Sequence, residues 1–226
     1  MFACLFALSA LLSDSCMPAG PSRSTEPIHI YLNNTGGAPD SVLGQMKLQL
    51  GGLMRQAGLE VEWHDLHAPA AMSNGDLVVV EVRGSCAVPA HSHRDRGEVQ
   101  LGSSAVADGR VLPFSWIDCD KLAQLLEPCL EGAEKPQREQ LYGRSMARVL
   151  AHELYHVLAN TLTHTREGLT KGHFDANDLL REQAEFSTLA LTNLRLSRRP
   201  GDFAPRISIS NPLNQENLFD PPVNSR

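Results

Sequence analysis

Residues His152-Glu153-Leu154-Tyr155-His156 set two imidazoles four positions apart with a carboxylate next to the first. On a helix, positions i and i+4 share one face, about 40° apart around the axis. Both imidazoles can then bind one zinc ion. Glu153 is offset by about 100° from His152, beside the ligands rather than among them, where a carboxylate can move the proton of a zinc-activated water. A catalytic zinc site uses three protein ligands and leaves one position open. His164 follows His156 after seven intervening residues and is the first choice for the third ligand. Glu182 and Glu185, one turn apart on an expected later helix, compete for that role, as do Asp175 and Asp178. The bland reading of the pair is two core histidines hydrogen-bonded inside a helix. Burying two imidazoles and a carboxylate in an apolar stretch costs several kcal/mol unless they are paired.

The motif falls within Glu139 to Asn160, where Tyr142, Met146, Val149, Leu150, Leu154, Val157 and Leu158 form an apolar stripe at helical spacing. Upstream, Ile28 to Leu32 alternates as a strand, and Asp40 to Ala57 has helical spacing despite Gly51 and Gly52. Leu59 to Trp63 alternates again. Leu77 to Val82 is an apolar run, the mark of a strand covered on both faces. The strand-helix-strand start implies a parallel pair with a right-handed crossover. Gly102 to Val106 and Val111 to Ile117 flank a hairpin-like turn at Ala107-Asp108-Gly109. Asp118 to Leu130 reads as a short helix, Gly132 to Pro136 as a linker, Thr161 to Asp175 as a polar loop, and Ala176 to Leu194 as the final helix. The fold class is therefore α+β, a small twisted mixed sheet with an active-site helix and a C-terminal helix.

The chain has 226 residues, 42% hydrophobic and 20% charged, enough for one domain with a real core. A formal net charge of -6 and the lack of a Lys/Arg cluster argue against nucleic acid and against an anionic membrane surface as partners. Phe2 to Leu12 is almost wholly apolar, too short to span a bilayer, and matches the h-region of a secretory signal without its positive n-region. The expected location is exported, secreted or periplasmic, with no stable membrane insertion after processing. A lipoprotein at Cys16 ranks lower, because Asp14 and Ser15 are poor lipobox residues. Export permits a disulfide. Cys86 and Cys119 each end an expected strand and are the favoured pair, with Cys129 a buried thiol on a helix. A monomer is expected.

The run HELYHVLANTLTH, followed by HTREGL, resembles the zincin metallopeptidases and, among them, the metzincins, which carry HExxHxxGxxH and then a methionine turn beneath the metal. Here seven residues rather than five separate the second and third histidines, and Ala159 occupies the glycine position. The pattern HExxH-x7-H, with Gly168 four residues after His164, is similar to a metzincin-like set of exported bacterial proteins. Many of those read GIM where this chain has Gly168-Leu169-Thr170, and no methionine follows the motif. The resemblance implies a zincin-like domain over 27–196, between a signal-like segment and linker (1–26) and a loose C-terminal tail (197–226). It implies a zinc-dependent metalloendopeptidase acting on a protein or peptide substrate. Zn2+ would be held by His152, His156 and His164, with Glu153 as general base. The alternative is a non-catalytic zinc-binding recognition protein on a peptidase scaffold. Tyr142 is a weak candidate for an oxyanion donor, and Tyr155 reads as core. His173, near the motif in sequence, is a weak candidate for a substitute ligand or substrate contact. His29, His64 and His67 read as structural or surface groups, and His91 and His93 as an HxH pair lacking further ligands.

Overall fold

The computed structural model describes residues 26–66, 75–86 and 100–197. The signal-like segment and the tail lie outside them, apart from Glu26 and Ser197, as do His67, His91 and His93. The chain runs β1 (Ile28–Asn33), α1 (Asp40–Gln56), β2 (Val61–Asp65), β3 (Asp76–Arg83), β4 (Gly102–Ala107), β5 (Arg110–Asp118), α2 (Cys119–Leu130) and α3 (Lys135–Ala159). A single 3-10 turn at Gly168–Thr170 then leads to α4 (Ala176–Leu180) and α5 (Thr188–Ser197).

The strands form one sheet in the order β2-β1-β3-β5-β4, so the architecture is α+β with a small mixed sheet, as the sequence leads one to expect. β1 is parallel to both β2 and β3, β3 is parallel to β5, and β4 alone is antiparallel. The hairpin between β4 and β5 turns at Asp108 and Gly109, both at positive φ. Within it, Ser104 faces Ser115 and Val106 faces Val111, so β5 spends Leu112, Pro113 and Phe114 where β4 has only Ala105. Such an irregularity is where a strand tolerates a residue with no N–H to donate.

β3 is packed on one face rather than two: Val78, Val80 and Val82 are fully buried, while Leu77 is 45% exposed. Val78, Val80, Ile28, Ile30 and Ile117 join Met46, Leu50, Met146 and Leu150 of the helices in one core. α3 lies against β4 and β5, and α1 packs alongside α3. The two helices touch at Gly143, where a Cβ would stand 2.6 Å from the Val42 carbonyl oxygen and 2.6 Å from Gln45 Cβ. Only a residue without a side chain permits that approach.

α3 begins four residues before the expected Glu139, because Pro136 opens the helix instead of interrupting a linker. The expected helix from Ala176 to Leu194 is two helices. The buried guanidinium of Arg148 donates to the carbonyls of Asp178, Arg181 and Glu182. Those carbonyls would otherwise be spent within a continuous helix. Cys86 and Cys119 form the favoured disulfide, joining the loop after β3 to the first residue of α2. Cys129 is exposed, not buried: it lies on the outer side of α2, whose inner side is Leu122, Ala123, Leu126 and Leu130. Among the described residues no helix is long and apolar enough to cross a membrane.

Candidate metal centre

His152 and His156 occupy the last two turns of α3, nearly buried, and their Nε2 atoms are 3.0 Å apart. His164 returns on the following loop, its ring stacked on His152 at 5.1 Å between centroids and edge-on to His156 at 4.8 Å. One ligand atom from each of the three lies within 4.8 Å of the others, so the group could hold a metal ion.

The return of the chain is built locally. α3 ends at Asn160 in the left-handed conformation, with Thr161 N–H bonded to the His156 carbonyl. Asparagine tolerates this conformation better than most residues. Its side-chain Oδ1 also accepts from Val111 N–H at 3.0 Å, pinning the helix end to β5. The loop is closed by Thr165 N–H donating to the Thr170 carbonyl and by a bond between their hydroxyls. Thr170 is completely buried. In the place where the resemblance puts a methionine, this chain has a hydroxyl that ties the His164 loop shut.

The protons on the two helix histidines decide what the pair is arranged to do. His152 Nδ1–H donates to the Leu169 carbonyl at 2.9 Å, and His156 Nδ1–H donates to the Thr161 carbonyl at 2.7 Å. A carbonyl can only accept, so each neutral ring carries its hydrogen on Nδ1 and leaves Nε2 bare. Two bare nitrogens then face each other at 3.0 Å with no proton to share. Burial and the neighbouring imidazoles push the His152 pKa down to about 4, and burial lowers that of His156. Protonation therefore does not relieve the contact at neutral pH. A cation does. Donors about 2.05 Å from a tetrahedral zinc stand roughly 3.4 Å apart, close to the separation found here. Carbonyl partners behind metal-binding imidazoles fix their tautomer and orientation in this way.

Glu153 points toward β4. Its Oε2 accepts from Ser104 Oγ at 2.9 Å, and the same hydroxyl bonds Ser115 Oγ at 3.0 Å. Burial raises the Glu153 pKa to about 7, with the Ser104 bond opposing the shift. β4 comes this close because of Gly102, where a Cβ would stand 2.8 Å from Val149 and 3.2 Å from Glu153 Oε1. A cleft of about 490 Å³ opens over the three histidines and Glu153, lined also by Gln100 to Ser104, His173 and Phe174.

The competing ligands are placed elsewhere. Glu182 and Glu185 are exposed in the segment between α4 and α5 and line a different cleft. Asp175 and Asp178 form a capping box at the start of α4, and Asp178 also pairs with Lys171. Tyr142 is buried and its hydroxyl donates to the Cys119 carbonyl at 2.7 Å, so it is no oxyanion donor. Tyr155 is core, as expected. His173 is exposed at the rim of the cleft. Sequence reasoning missed Ser104 and Gly102; the only signal for them was a polar, small-residue stretch in a strand required to pack against an apolar helix.

No protein-family model matches the chain, and neither a curated protein nor a solved structure matches it.

Proposed function

We propose that the chain is an exported zinc metalloendopeptidase of zincin-like, metzincin-related design, hydrolysing peptide bonds in a protein or peptide substrate. The observation that carries this reading is the pair of unprotonated Nε2 atoms converging beside a separately held carboxylate. His152, His156 and His164 would hold the ion, leaving its remaining side open to the cleft. A zinc ion held there would supply Lewis acidity, to activate water and polarise the scissile carbonyl. Glu153 takes the water proton and delivers it to the leaving amine, cycling between its two protonation states. Burial favours the protonated carboxyl, which suits a group that must hold a proton between the two transfers. Ser104 keeps Glu153 aimed from β4 and out of the ligand set.

A peptide substrate is favoured by the position of β4. It ends the sheet order, and no described strand pairs with its outer edge. Its start, Gly102 to Ser104, lines the cleft. An extended peptide can add to such an edge through main-chain hydrogen bonds and be held straight across the ion. Export is supported by the Cys86–Cys119 disulfide, since such bonds persist in oxidising compartments.

The test is metal content combined with digestion of casein and a peptide library. His152→Ala, His156→Ala and His164→Ala should each lose the zinc equivalent of this site. Glu153→Gln should keep it and lose hydrolysis by on the order of 10³-fold. A zinc-replete wild type that cuts nothing would replace this reading with that of a zinc-binding recognition protein.

A further inference from the structure

His29, Glu62 and His64 form a second cluster at the opposite edge of the sheet from β4. The parallel register of β1 and β2 sets His29 level with Glu62, and Tyr31 level with His64. All four side chains share the sheet face opposite to Ile28 and Ile30. His29 Nδ1 is 2.9 Å from His64 Nε2 and 3.4 Å from Glu62 Oε2. These separations lie at or just under the roughly 3.4 Å between donors around a tetrahedral ion of zinc size.

The donors are held, not loosely gathered. His29 is buried, with 4% of its surface exposed. Its outer edge is pressed against Gly75, where a Cβ would fall 3.0 Å from both Nε2 and Cδ2. Among the described residues Nε2 has no hydrogen-bond partner, and the ring makes its polar contacts there through Nδ1, facing Glu62 and His64. The His64 ring is stacked on Tyr31 at 4.8 Å with 21° between planes, which fixes the direction of its Nε2. Glu62 is exposed and free to close on an ion from the solvent side.

We propose that His29 Nδ1, Glu62 Oε2 and His64 Nε2 form a second divalent-metal site, independent of the α3 site, that takes a borderline transition ion such as Zn2+. Two imidazoles and one carboxylate select such an ion over Ca2+ or Mg2+, which prefer oxygen donors throughout. The ion bridges the edge strand β2 to β1 and stabilises the folded chain by an amount that grows with the logarithm of free zinc above its dissociation constant.

The probe is zinc itself, counted by mass spectrometry after equilibration and gel filtration, alongside thermal melts. Wild type should hold two equivalents, His64→Ala one, His152→Ala/His156→Ala one, and the three substitutions together none. His64→Gln, which keeps bulk on the Tyr31 ring, should match His64→Ala. Zinc should raise the melting temperature of His152→Ala/His156→Ala, and adding His64→Ala should abolish that rise. A zinc count that His64→Ala leaves equal to that of wild type, or no zinc-dependent rise in the melting temperature of His152→Ala/His156→Ala, overturns the proposal. The peptidase reading is untouched by either result, because its zinc is lost through substitutions at His152, His156 and His164.

Discussion

At the scale of single residues, Glu153 and His152 carry opposite electrostatic loads once metal is removed. The folded-state pKa of Glu153 is raised from an ordinary 4.5 to about 7. Its contribution to stability is full below about pH 4.5 and is lost as pH rises through 7. The folded-state pKa of His152 falls from 6.5 to about 4, so its contribution is full above 6.5 and is lost as pH falls toward 4. In metal-stripped protein, Glu153→Gln removes the cost of ionising a buried carboxylate, on the order of 3 kcal/mol above pH 7. Denaturant unfolding should show Glu153→Gln more stable than wild type at pH 8, with the gap shrinking or reversing at pH 5. An equal gap at both values would mean the carboxylate is not the titrating group. The motif and the return of His164 were legible because helical spacing and chain reach are local properties. Ser104 was not, since its partnership with Glu153 spans 49 residues and depends on the close approach at Gly102.

At the scale of elements, α3 is useful only if it stops where it does. Asn160→Ala puts a Cβ-bearing residue without a local hydrogen-bonding side chain into the left-handed conformation, and strips Val111 N–H of its acceptor. The expected loss is about 2 kcal/mol in denaturant unfolding, with weaker zinc retention. Asn160→Gly should recover roughly half, because glycine adopts the turn without strain. Loss of stability with Gly equal to that with Ala would place the whole effect in the Val111 bond. All five strands and the helices through α3 were readable within a few residues from alternation and periodicity. The break after α4 was not. Residues 176 to 194 have helical spacing, and what interrupts them is a guanidinium supplied from another helix, Arg148.

At the scale of the whole molecule, the disulfide ties the ends of β3 and β5, adjacent strands in the middle of the sheet. The bridged cysteines are 33 residues apart, and closing a loop of that length removes unfolded-chain entropy worth about 3 to 4 kcal/mol. A Cys86→Ser/Cys119→Ser variant should therefore unfold at markedly lower denaturant while keeping its zinc when folded. The pairing was open to sequence reading because both cysteines sit at strand ends. The exposure of Cys129 was not, since which side of a short amphipathic helix a residue takes depends on its neighbours.

The two carbonyls that orient His152 and His156 belong to Leu169 and Thr161, both on the loop that carries His164. All three histidines are thus wired to one ten-residue stretch, two through the backbone and one directly. The placement of the three imidazoles and the closure of the loop are therefore tied together, and Thr170, which closes the loop, bears on that placement. Thr170→Val, which keeps shape but cuts the hydroxyl bond to Thr165, should weaken zinc retention about tenfold, near 1.4 kcal/mol of net hydrogen-bond energy. In the same variant, and in chelated wild type, amide hydrogens from 161 to 171 should exchange faster than in zinc-loaded wild type, while those of α1 do not change. Unchanged exchange in both would show that the loop holds its form without the ion.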